Sequence, residues 1–137
     1  MGQTASSAQV IVDALMKALP DLIAVYRFGS RVSGPGKRDS DLDMAILCPR
    51  SLPSMRRYAL QQDLAGLLRQ EVDLVDLRSV STVMQMQVIS TGEILLTRDE
   101  GARARFEVYV FSAYARLNEE RHGILADVLA RGTVYGR

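Results

Sequence analysis

Two apolar runs, joined through a Gly-Ser step and an Asp-x-Asp, constrain this chain more than any other feature. Leu22-Ile23-Ala24-Val25-Tyr26-Arg27-Phe28 leads into Gly29-Ser30, and Asp41-Leu42-Asp43 leads into Met44-Ala45-Ile46-Leu47-Cys48. Short apolar runs bounded by turn signals read as buried strands. Residues 31–40, rich in Gly, Ser and Pro, read as the loop between them. The result is a strand, a loop and a second strand, with the polar chemistry held at the junctions.

Residues two apart on a strand share a face, so Asp41 and Asp43 aim two carboxylates at one point. Hard oxygen ligands placed in that way suit Mg²⁺. Gly29 permits a tight turn in which amide N–H groups beside Ser30 face a phosphate. A phosphate cradle next to a carboxylate pair is equipment for moving a nucleotidyl group. In a polar loop, Asp-x-Asp is usually a turn with solvated charges. Here both aspartates run into an apolar strand, where like charges repel unless a cation lies between them.

A third carboxylate is expected from a neighbouring strand, and Glu71-Val72-Asp73-Leu74-Val75-Asp76-Leu77 reads as that strand. Asp73 and Asp76 are an odd number of residues apart, so they point to opposite faces and only one can join the site. The spacing alone leaves both open.

The segment from Phe28 to Leu47 resembles the signature of the DNA polymerase β-like nucleotidyltransferases. More narrowly, Gly29-Ser30-Arg31, Gly34, Arg38 and Ser40-Asp41-Leu42-Asp43 resemble the minimal nucleotidyltransferase (MNT) antitoxins, which are paired with HEPN-domain toxins. The resemblance implies an α/β (α+β) fold, a small mixed β-sheet flanked by helices. It implies two Mg²⁺ ions and ATP as donor, with Asp41, Asp43 and Asp73 as the catalytic and metal-binding carboxylates. Within it Asp73 is favoured over Asp76, which is left at the strand end to cap the following turn. Gly29, Ser30 and Arg38 become nucleotide-binding residues. The implied activity is transfer of AMP to a tyrosine of a cognate HEPN toxin, which neutralises it within a hetero-oligomer. Two alternatives stand beside it: an antitoxin that inhibits by binding alone, and a nucleotidyltransferase acting on a small-molecule hydroxyl.

Other residues read more plainly. Ser30 can cap a short helix as well as meet a triphosphate. Arg38 can pair with Asp39 instead of a phosphate, and Arg31 is similarly ambiguous. The lone cysteine, Cys48, reads as a small core side chain, and the absence of a disulfide framework suits a reducing, cytoplasmic location. His122 has no partner at useful spacing and reads as a surface residue. Tyr109, Phe111 and Tyr114 read as core or partner-helix contacts rather than a base-stacking platform. Seventeen basic and 16 acidic side chains give a net charge of +1, which offers no electrostatic case for nucleic acid. No apolar run is long enough to span a membrane.

At 137 residues the chain reads as one nucleotidyltransferase domain, 1–137, with a C-terminal helical segment from about 99. A first helix is expected over 8–19, capped by Ser6 or Ser7. A second runs from Pro53 to about Arg69, with Met55, Leu60, Leu64, Leu67 and Leu68 inward. A third spans 80–91, stopped at Gly92, and Glu93–Thr97 forms an edge strand. The closing helix begins at Asp99, with Phe106, Val110, Tyr114 and Leu117 at helical spacing. A break is expected near Gly123, followed by a helical piece over 124–130.

Overall fold

The computed structural model describes residues 6–29 and 42–131. Elements follow in the order α1 (Ser7–Ala18), β1 (Ala24–Arg27), β2 (Leu42–Leu47), α2 (Ser54–Leu68), β3 (Val72–Asp76), α3 (Thr82–Thr91), β4 (Glu93–Thr97) and α4 (Glu100–Arg131). The four strands form one mixed sheet in the order β3-β2-β1-β4. β1 pairs antiparallel with β2 and with β4, while β2 and β3 run parallel with α2 as their crossover. The expected small mixed sheet flanked by helices is therefore present.

Alternation along the strands divides the core into two layers. Val25, Met44, Ile46 and Leu74 face α1 and α2, where Ile11, Leu15 and Leu64 complete one cluster. Ala24, Tyr26, Ala45 and Leu47 face the other way and pack with Val88 of α3 and with Phe106 and Val110 of α4. Because both faces are covered, the central strands read as continuous apolar runs.

The helix ends follow local chemistry. Ser6 is the α1 cap, its hydroxyl accepting from the Gln9 amide at 3.1 Å, and Ser81 does the same for α3 through Met84. Asp99 caps α4 by accepting from Ala102 N at 3.0 Å.

Of the five residues expected inward on α2, Leu60, Leu64 and Leu68 pack against the core, and Met55 and Leu67 do not. Met55 is 83% exposed and Leu67 57%, while Leu64 is the buried residue of this helix. Polar groups share the inward side with Leu60, Leu64 and Leu68. β3 is an edge strand, and its outward Leu74 peptide needs partners. Gln61 Oε1 accepts from Leu74 N at 2.8 Å, and Arg57 Nη1 donates to Leu74 O at 2.8 Å. The helix thus covers the sheet edge with hydrogen bonds beside its apolar contacts.

The expected break at Gly123 is absent: α4 is one helix of 32 residues. A glycine inside a helix costs only about 1 kcal/mol relative to alanine, so it need not end one. Phe106 and Val110 are buried, Tyr114 and Leu117 are half-buried, and His122 is exposed as expected. Tyr109 and Phe111 are exposed, so they are not core. Among the described residues no helix is long and apolar enough to cross a membrane.

Candidate active site

Strand register places the two carboxylates that the described residues can test. Asp43 and Asp73 are Cα partners on the parallel pair β2 and β3. In-register neighbours on adjacent strands project to the same face, with strands about 4.8 Å apart. That face is the one covered by α3 and α4, since Ala45 and Leu47 share it with Asp43 and Val75 shares it with Asp73. Asp43 is half-buried and Asp73 is exposed. The pair lies where β2 and β3 both begin, at the open end of the layer.

Gly29 closes against the same point. The Phe28 amide donates to Asp43 O at 3.0 Å, which carries the β1–β2 ladder one step beyond Arg27. Gly29 then turns with φ +77°, a conformation that side chains with a Cβ avoid. A Cβ there would stand 2.7 Å from Oδ2 of Asp43. Glycine is required both by the turn and by the carboxylate it faces.

Asp76 has a different task. It is 2% exposed, on the face toward α1 and α2. Its carboxylate accepts from Leu52 N at 2.7 Å, from Arg78 N at 3.0 Å and from the Ser79 hydroxyl at 3.1 Å. This aspartate ties the end of β3 to the loop before α2. Ser30, Arg38 and Asp41 lie outside the described residues, as do Arg31 and Gly34.

The residues present fit a divalent cation. Asp43 and Asp73 offer hard oxygen donors in register, and Gly29 sets no Cβ of its own against the Asp43 carboxylate. Among the described residues no cluster of three metal-ligating side chains occurs.

A polar network that the sequence did not announce lies one row in from the carboxylates. Tyr26, paired with Ala45, donates its hydroxyl to Glu107 Oε2 at 2.7 Å. Arg103 bonds the same carboxylate at 2.9 Å and reaches Glu100 at 3.2 Å. Burial and the Glu107 carboxylate push the Tyr26 phenol well above its ordinary value. Burial opposes the charge on Arg103, but Glu107 and Glu100 outweigh it and raise its pKa. The available signal was a tyrosine within a buried strand, next to Val25, whose hydroxyl must find a partner.

A fold with a parallel β2–β3 pair carrying in-register aspartates, and a glycine turn against one of them, matches a known group. The polymerase β nucleotidyltransferase family matches residues 9–101, and the chain belongs to that family. It is 40% identical over 120 residues to the protein adenylyltransferase MntA of Shewanella oneidensis, covering 88% of this chain and 86% of the relative. Among solved structures it is similar to the MNT antitoxin in complex with a tri-AMPylated Shewanella oneidensis HEPN toxin. That likeness has a TM-score of 0.74 and 36% identity, over 90% of this chain and 96% of the other. A toxin–antitoxin structure with AMP-PNP gives a TM-score of 0.75 and 38% identity, over 89% and 98%.

Proposed function

We propose that this chain, working as one domain in the cytoplasm, is a Mg²⁺-dependent protein adenylyltransferase. It transfers AMP from ATP to a tyrosine hydroxyl of a cognate HEPN toxin and so acts as its antitoxin. The observation that carries the reading is the in-register Asp43–Asp73 pair beside the Gly29 turn. Its support from outside the chain is the 40% identity to a protein adenylyltransferase.

In this reading the phenolic oxygen attacks the α-phosphorus of ATP, the bond to the β-phosphate oxygen breaks, and pyrophosphate leaves. Asp41, Asp43 and Asp73 would hold two Mg²⁺ ions, which would supply charge neutralisation for the displacement. Asp73, exposed on the edge strand, receives the proton of the acceptor hydroxyl. Gly29 keeps the backbone close to the triphosphate, Ser30 donates its hydroxyl to a phosphate oxygen, and Arg38 balances the phosphate charge. The toxin supplies the acceptor hydroxyl.

The test is intact-mass spectrometry of a candidate HEPN toxin, the product of a gene adjoining this one, after incubation with this chain, Mg²⁺ and each nucleoside triphosphate. One or more added AMP units, mapped to a tyrosine and lost with Asp43→Asn, is the expected result. Tight association without any mass gain would replace the reading with inhibition by binding.

A further inference from the structure

The end of the sheet opposite the carboxylates holds a cavity of about 640 Å³. Its wall forms where the strands start or stop: Ile23 precedes β1, Pro49 follows β2, and Arg78 and Arg98 follow β3 and β4. Six residues separate Asp43 from Pro49, roughly 20 Å at about 3.3 Å per residue. The cavity is therefore separate from the site proposed above.

Three guanidiniums line this cavity, those of Arg78, Arg98 and Arg105. Arg78 is held in place, with Nε donating to the Cys48 carbonyl and its guanidinium over the Phe106 ring, 5.2 Å from the centroid. Among the described residues neither Arg98 nor Arg105 has a side-chain hydrogen bond or ion pair. Asp21 and Asp99 share the wall, but Asp99 is engaged in capping α4 through Ala102 N. Three guanidiniums against two carboxylates leave a net positive balance, and Asp99 and the amino end of α4 offset each other.

Tyr109 stands one helical turn from Arg105, lines the same wall and is 63% exposed. Phe106 is buried beneath Arg78, so Tyr109 is the ring left open to a ligand. Guanidiniums grip phosphate through paired N–H donors. An exposed ring offers a base a face to stack on, and the volume suits a nucleotide-sized ligand.

We infer that this groove binds a nucleoside phosphate, with Arg78, Arg98 and Arg105 holding the phosphate and Tyr109 stacking on the base. Tyr109 then has a role different from the core or partner contact that its helical spacing suggested. The inference does not depend on the chain's proposed enzymatic activity.

The experiment is amide-resolved NMR of the full chain in EDTA, titrated separately with AMP, inorganic phosphate and a short adenine oligoribonucleotide. The expected result is saturable AMP-dependent shifts at the Arg98, Ala102 and Tyr109 amides. Arg98→Ala with Arg105→Ala should weaken AMP by about tenfold or more while the spectrum stays native. Tyr109→Leu should weaken AMP and leave inorganic phosphate unaffected. Tighter binding of the oligonucleotide would make the source a nucleotide chain, and tighter binding of AMP would make it the free nucleotide; both support the site. No saturable shift at those amides, or unchanged AMP binding in the folded double variant, would overturn it. Phosphate alone binding as tightly as AMP would also overturn it, because the ring would then contribute nothing.

Discussion

A side chain at Gly29 would place its first carbon 2.7 Å from Oδ2 of Asp43. The turn and the carboxylate are thus fitted to each other across the β1–β2 junction, with φ +77° at the glycine. Gly29→Ala is expected to cost on the order of 1–3 kcal/mol in stability. It should also reduce AMP transfer far more than that loss explains, because Asp43 must move. Parallel thermal melts and transfer assays would check this. A variant with a lowered melting temperature but normal transfer would show that the space beside Asp43 is idle.

The two aspartates of β3 should separate cleanly on mutation. Asp73→Asn should stop transfer and leave the melting temperature unchanged or higher, since it is exposed and stands beside Asp43. Asp76→Ala removes the acceptor of Leu52 N, Arg78 N and the Ser79 hydroxyl, and should cost roughly 2–4 kcal/mol. Denaturant unfolding of both variants tests the division. A stable Asp76→Ala protein would contradict the tie between β3 and the loop before α2.

Metal binding can be read without catalysis. Mg²⁺ with ATP should raise the melting temperature of the wild type by mass action, and EDTA should reverse it. Asp43→Asn should lose most of that gain. An identical rise in the variant would place the cation elsewhere.

The parity argument that set Asp73 and Asp76 on opposite faces could be read directly from their spacing, and so could the order of strands and helices. The packing of α2 could be read in part: Leu60, Leu64 and Leu68 turn inward as their spacing suggests, but the polar contacts beside them were hidden. Those contacts depend on β3 being an edge strand, whose Leu74 peptide calls for Arg57 and Gln61. No periodicity within residues 54–68 encodes which strand lies at the edge. The partners of Asp76 were hidden for the same reason, since Leu52 belongs to a loop 24 residues away. Ser30, Arg38 and Asp41, the other half of the expected site, lie outside the described residues.

Burial pushes the Cys48 thiol from its ordinary value near 9 up to about 11, with Asp76 and Asp21 adding to the shift. The folded state therefore keeps a proton that the unfolded chain releases first. Stability from this group is full below the unfolded value and falls as pH rises from about 9 to about 11. Cys48→Ala should flatten that part of a stability–pH profile measured by denaturant unfolding. A profile equally steep in the variant would assign the loss to other groups.

Glycines inside helices offer a stabilising change. A Cβ at Gly66 in α2 or at Gly123 in α4 would meet nothing within 4 Å. Gly66→Ala and Gly123→Ala should each stabilise by about 0.5–1 kcal/mol. Calorimetry decides this, and a loss of stability at Gly123 would mean that the helix is not continuous there.

The parallel register of β2 and β3 reaches beyond geometry. Asp43 and Asp73 stand 30 residues apart in the chain and meet only after α2 has docked and the parallel pair has zipped. A slip of one residue would turn Asp73 toward α2 and away from its partner. A half-folded or mispaired chain therefore has no crippled version of the carboxylate pair; it has none. Maturation of the protein and the arming of its chemistry become a single event.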